Sequence, residues 1–204
     1  MHHTILNERS ISIDNSDNMT DKRTAILNAT LNLISANGFH GTAMSKVAKE
    51  AEVSAGIIYH YFDNKEDLID KLYLQIKFDL SQALLVGYSE KLSIRENFGR
   101  IWLNTLNFHL ERPKETAFLE QYENSPFVKP ETQQIDSQYF EQLLSFVQKA
   151  MDEKVIKTMP LAMFAALTIE VAMSLAKKHS AGTIKLDDEL TGMAIESCWN
   201  AIKI

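Results

Sequence analysis

Tyr59, His60 and Tyr61 follow one another directly, with Phe62 behind them, in the stretch VSAGIIYHYFDNKEDL from Val53 to Leu68. Phenols and an imidazole both donate and accept hydrogen bonds, and their flat faces can lie against sugars. A helix buries one face, so four such side chains in a row cannot all be core. Phe62 goes to the inside, Tyr61 packs partly, and Tyr59 and His60 face out. The chemistry on offer is hydrogen bonding to an oxygen-rich anion such as phosphate, with Lys65 adding a cation on the same side.

No other residues suggest a reaction. The six histidines show no paired spacing with cysteine or carboxylate of the kind that holds zinc. His109 lies on an apolar helix and reads as a satisfied buried histidine. Asp187-Asp188-Glu189 reads as a cap and negative charge at a helix N-terminus. G-x-S-x-G, phosphate-loop and metalloprotease motifs are absent. The expectation is a protein that is not an enzyme and has no cofactor or metal.

The chain has 204 residues, 45% of them hydrophobic, with only seven glycines and four prolines. Alternating polar and apolar runs are scarce, so an all-α fold is expected. A single cysteine, Cys198, excludes an intrachain disulfide. The longest apolar run, Leu161 to Ala176, is too short to span a bilayer and carries Glu170. The expected setting is cytoplasmic, with no membrane partner.

Residues 1–18 are polar and patternless and read as a disordered leader. Thr20 or Asp21 can cap a first helix, with Ile26, Ala29, Leu33 and Ile34 on its inner face. Asn37-Gly38 ends it, because glycine takes the left-handed conformation past a helix end. Two short helices follow, 43–51 and 54–62. A longer helix runs from Asn64 toward Val86. Further helices are expected over 93–111, 114–123, 131–153, 161–178 and 188–202. The domains expected are 19–65 for the small N-terminal bundle and 66–204 for a larger helical one.

Two short helices cannot bury a core alone, but they can lean on a third as a helix-turn-helix. Ala48 supplies the small residue at their crossing. Val47, Ala51, Val53 and Ile58 provide internal contacts, and Ser54 is placed to cap the second helix. Its outer face then holds Ala55, Gly56, Ile57, Tyr59 and His60. Glycine inside a helix costs ~1 kcal/mol relative to alanine, a cost acceptable where another backbone must come close. A recognition helix entering the major groove has that need. Net charge argues the other way: it is −6, and the first eighty residues carry no basic excess.

The stretch TAMSKVAKEAEVSAGIIYHYFDNKEDL, preceded by ANGF, resembles the DNA-binding motif of the TetR family of bacterial repressors. The resemblance covers roughly Lys22 to Leu72. It implies groove or phosphate contacts for Thr42, Ser45, Ala55, Gly56, Ile57, Tyr59, His60, Tyr61 and Lys65. Two positions depart from the pattern. Glu52 stands where the family has glycine at the turn, which implies left-handed strain and an acid near the DNA. Ala43 stands where a second Thr or Ser is common, which removes a cap or a phosphate contact.

The resemblance also implies a homodimer and a small-molecule effector. Helix 161–178 is apolar nearly all round, and the last helix carries an apolar stripe. Paired with a second copy, they would form a four-helix interface using Ala165, Ala172, Ala176, Leu190, Ala194, Cys198 and Ala201. The helices between are rich in aromatics with a few polar residues among them, the usual make-up of a ligand site. Trp102, Thr105, His109, Phe118, Tyr122, Phe146 and Thr168 are the candidate pocket for a hydrophobic effector. The function expected is a ligand-responsive repressor on a near-palindromic double-stranded operator. The rival is a helical small-molecule-binding or interaction protein that has lost DNA binding.

Overall fold

The computed structural model describes residues 7–204, with side chains from residue 21 onward. Its helices are α1 (Asn7–Gly41), α2 (Met44–Glu50), α3 (Ala55–Tyr61), α4 (Lys65–Leu84), α5 (Ile94–Glu111), α6 (Pro113–Glu123), α7 (Pro130–Tyr139), α8 (Glu141–Asp152), α9 (Leu161–Leu167), α10 (Ile169–Ser180) and α11 (Asp188–Ile202). One isolated bridge pairs Ile156 with Lys203. Among the described residues, no helix is long and apolar enough to cross a membrane.

Three boundaries differ from expectation. The first helix does not start at Thr20 or Asp21. It runs back to Asn7 through most of the segment read as a disordered leader. That segment holds no glycine or proline to stop it; residues 1–6 lie outside the described residues. The helix expected over 161–178 is broken at Thr168 (φ −132, ψ −77). The Trp102 indole N–H donates to the Thr168 carbonyl at 3.1 Å, and the Thr168 hydroxyl turns back on the Phe164 carbonyl at 2.6 Å. A side chain reaching into the backbone ladder is a recognised cause of a kink. The helix expected over 131–153 is likewise divided, at Phe140.

The chain forms two compact units. One comprises the described residues up to Tyr73 with Ala117–Phe127, the other Leu74–Thr116 with Val128–Ile204. The division thus falls between Tyr73 and Leu74, further along α4 than the expected boundary after residue 65, and the first unit takes in most of α6. In the first unit α1, α2 and α3 pack together around Ile26, Ile34, Val47, Ile58, Phe62 and Leu68, all nearly inaccessible. Leu33 is only half-buried, and Thr30 takes its place inside, its hydroxyl bonded to the Ile26 carbonyl at 2.7 Å. Part of α6 closes this core: Phe118 and Phe127 pack on Phe39. Tyr122 stacks on Tyr73 and donates its hydroxyl to Asp70 at 2.8 Å.

The second unit is built on α5, against which α10 and α11 pack. Ala172 and Ala176 are fully buried there, and their small side chains let the α10 backbone approach α5 closely. Helix α5 starts with a complete capping box: Ser93 Oγ accepts the Glu96 N–H at 3.2 Å, and the Glu96 carboxylate accepts the Ser93 N–H at 2.8 Å. The hydrogen bonds from Ser93 hold the Glu96 carboxyl below its usual pKa.

Candidate nucleic-acid interface

The geometry of α2 and α3 follows from how α2 ends. The Val53 N–H reaches back to the Ala48 carbonyl at 3.0 Å and the Glu52 N–H to Lys49 at 3.3 Å. These are the two bonds of a Schellman cap, whose C′ residue must be left-handed. That residue is Glu52, at φ 55. The turn buries Val47 and Ala48 on one side and Ile58 and Phe62 on the other, which fixes the rotation of α3. Its opposite face therefore points to solvent.

That face carries Ser54, Ala55, Gly56, Tyr59 and His60, all exposed, with Ile57 half-buried beside them. Tyr59 is 57% accessible, a high value for an aromatic. A methyl group on Gly56 would find only Ser54 Oγ within 4 Å, at 3.9 Å, so nothing within the subunit demands glycine there. Ser45 on α2 is exposed as well. Tyr61 is half-buried, its ring 5.1 Å from His60 and 6.2 Å from Phe62.

Thr42, Lys65 and Ser54 are placed differently from the sequence expectation. Thr42 is buried, its hydroxyl donating to Gly38 O at 3.0 Å. Gly38 interrupts α1 at φ 68, ψ 177, and its carbonyl takes a partner from the next turn. Lys65 is half-buried and donates to Phe39 O at 2.6 Å, tying the start of α4 to the end of α1. An ammonium has three donors, so two directions stay open. Ser54 holds the N-cap position of α3, but its side chain makes no capping hydrogen bond. Ala43 leaves α2 without a side-chain cap, as expected.

The model described as "Bacterial regulatory proteins, tetR family" matches residues 26–72, and "Tetracyclin repressor-like, C-terminal domain" matches 93–203. The chain belongs to the TetR family. Over 184 residues it is 28% identical to an uncharacterised helix-turn-helix transcriptional regulator of Haemophilus influenzae, covering 90% of this chain and 97% of that one. A TetR-family regulator from Marinobacter aquaeolei superposes with a TM-score of 0.87 at 26% identity, covering 92% of this chain and 98% of that one. The regulator FadR from Bacillus subtilis, solved in complex with stearoyl-CoA, shares the fold with a TM-score of 0.68 at 19% identity, over 86% and 96% of the two chains. The protein is thus a transcriptional regulator of the TetR family with a helix-turn-helix DNA-binding unit.

Seen as a TetR C-terminal domain, the second unit treats the remaining candidates differently. Trp102, Thr105, His109, Phe146 and Thr168 lie in it, whereas Phe118 and Tyr122 belong to the first unit. All seven are buried. Thr105 bonds to its own helix at Ile101 O, and His109 Nδ1 pairs with Thr116 Oγ1 at 2.9 Å. Phe98, Phe146, Ala150, Phe164, Trp199 and Ile202 line an apolar crevice too narrow to admit a water; of the candidates only Phe146 lines it. The expected dimer stripe also divides. Ala172, Ala176 and Cys198 face the subunit's own core, because α10 and α11 pack on α5. Burial pushes the Cys198 thiol pKa up. Ala165, Leu190 and Ala194 are half-buried and Ala201 is exposed. The large exposed apolar side chains of α9 and α11 are Leu161, Met163 and Met193, which the sequence reading passed over. Their exposure depends on which way each helix turns, and that required the packing on α5.

Proposed function

We propose that the protein is a cytoplasmic, dimeric repressor, not an enzyme, that binds a near-palindromic operator and is released by a hydrophobic small molecule. The observation that carries the reading is the outer face of α3, where Tyr59, His60 and Ser54 keep polar groups at the surface and Gly56 leaves room for a close approach. Ser45, Ala55, Ile57 and Tyr61 flank that face. Lys65 acts through the two donors that Phe39 leaves open, and Thr42 supports the turn from inside. Dimerisation is supported by the apolar surface at Leu161, Met163 and Met193, with Ala165, Leu190, Ala194 and Ala201 around it. A two-fold dimer presents two recognition helices and so requires two related half-sites. An apolar effector is supported by the aromatic interior of the second unit and by the stearoyl-CoA bound to the FadR relative in fold.

The test is selection of bound fragments from genomic DNA with the full chain, with its mass in solution measured alongside. Enrichment of a two-fold-symmetric sequence by a dimer is the expected result. A dimer that enriches no sequence would favour the rival, a helical small-molecule-binding or interaction protein.

A further inference from the structure

The Schellman cap at the end of α2 recurs twice among the described residues. After α10 the left-handed position is Gly182 (φ 71), with Gly182 N–H on His179 O and Thr183 N–H on Lys178 O, both at 2.9 Å. After α8 it is Lys154 (φ 55), with Lys154 N–H on Met151 O and Val155 N–H on Ala150 O. Glycine suits this position because it has no Cβ to clash with the following carbonyl. At the helix-turn-helix the position is filled by Glu52, and nothing offsets the strain: its side chain is exposed, and no described residue pairs with its carboxylate. Lys154 adopts the same backbone after α8, so the conformation alone marks no site; what sets Glu52 apart is its place just before the exposed face of α3.

The surroundings say what Glu52 does there. Glu52 lies two residues before Ser54, where the exposed face of α3 begins. From Met44 to Tyr61 the cations are Lys46 and Lys49 and the acids are Glu50 and Glu52, so the segment has no net charge. Lys46 is moreover bonded to the Gly41 carbonyl at 3.1 Å. A carboxylate beside the recognition helix repels the phosphates that the same helix must approach. We propose that Glu52 limits the affinity of this regulator for DNA, weakening binding to every sequence by one factor and leaving sequence preference to α3. This rests on the helix-turn-helix being the DNA-binding surface. Glu52 keeps binding weak enough for an effector or competing DNA to release it.

The experiment compares full-length wild type with Glu52→Gln, Glu52→Asp and Glu52→Gly, on a selected operator duplex and a random-sequence duplex of equal length. Glu52→Gln removes charge but keeps the side chain. It is expected to bind both duplexes about two- to fivefold tighter at low salt, with the gain fading as salt rises. Glu52→Asp, still charged, binds as wild type. Glu52→Gly binds as Glu52→Gln and melts about 2 °C higher, since it also relieves the backbone. If wild type binds its operator and Glu52→Gln binds no tighter at low salt, the proposal falls and the DNA-binding reading stands. If no variant binds either duplex, that reading falls and the proposal with it. The melting shift of Glu52→Gly is read without DNA, and its absence would remove the strain from the account.

Discussion

Ser54 and Ser93 hold the same position ahead of α3 and α5, with nearly the same backbone (ψ 154 and 158). Ser93 is fully engaged: its hydroxyl caps the helix and its own N–H is held by Glu96. Ser54 caps nothing. The contrast extends along both helices. On α5, Trp102, Thr105 and His109 are buried, with indole, hydroxyl and imidazole bonded inside the subunit. On α3, Tyr59 and His60 are exposed. One helix has spent its polar groups on the fold, and the other leaves them exposed. Side-chain chemistry alone does not separate a site from a core, because both hold aromatic and polar residues.

The largest difference should appear between Trp102→Ala and Tyr59→Ala. Trp102 is fully buried and its N–H holds the carbonyl at the α9–α10 kink. Truncating it should cost about 3–5 kcal/mol of stability, read by chemical denaturation. Tyr59→Ala should change stability by less than about 0.5 kcal/mol and abolish specific operator binding. Normal operator binding by Tyr59→Ala would move the recognition surface off α3. A small cost for Trp102→Ala would mean that α5 is less committed to the core than its burial indicates.

The same contrast explains what was legible in the sequence. The α3 face could be read in advance because Ile58 and Phe62 fix the inward side of a two-turn helix, leaving Tyr59 and His60 one direction to face. The turn was legible for a related reason: a cap three residues before α3 demands a left-handed residue, whatever its type, and Glu52 takes that conformation at φ 55. The ties of Thr42 and Lys65 to the Gly38 and Phe39 carbonyls beside the α1 kink were not legible. Periodicity does not say where a kink frees an acceptor. In the second unit the helices were legible and their partners were not. Ala172 and Ala176 suit a partner subunit or α5 equally well, and only the fold decides for α5. The Phe118 and Tyr122 placements depend on contacts with Phe39, Asp70 and Tyr73, more than forty residues away along the chain.

The two serines sharpen the comparison at smaller scale. Ser93→Ala should cost about 1 kcal/mol, the usual worth of an N-cap. Ser54→Ala should lie within about 0.5 kcal/mol of wild type while weakening operator binding. Equal losses of stability would mean that Ser54 caps α3 in solution, and the idea of unspent groups would fail there.

Gly56 is the next test. A methyl group there meets only Ser54 Oγ, at an ordinary contact distance of 3.9 Å, and alanine is a better helix former by about 0.8–1 kcal/mol. Gly56→Ala should therefore raise stability by up to that amount and weaken DNA binding in the same protein. A loss of stability would show that the glycine serves the fold, and that α3 is packed more tightly than its exposure implies.

The smallest effect concerns pH and belongs to the spent helix alone. Hydrogen bonds from Ser93 hold the Glu96 carboxyl below its usual pKa in the folded chain. A carboxyl lowered on folding binds fewer protons in the native state, so its contribution to stability is present above the unfolded pKa, about 4.3, and is lost as pH falls through the folded one. The stability difference between wild type and Glu96→Gln should therefore be constant near neutrality and shrink below about pH 4.5. Salt should reduce it only slightly, because the first cause of the shift is a hydrogen bond rather than a distant charge. Ser54 has no such partner, so Ser54→Ala should track wild type at every pH. A pH-dependent gap for Ser54→Ala would reveal a carboxylate at α3 and erase the difference between the two helix starts.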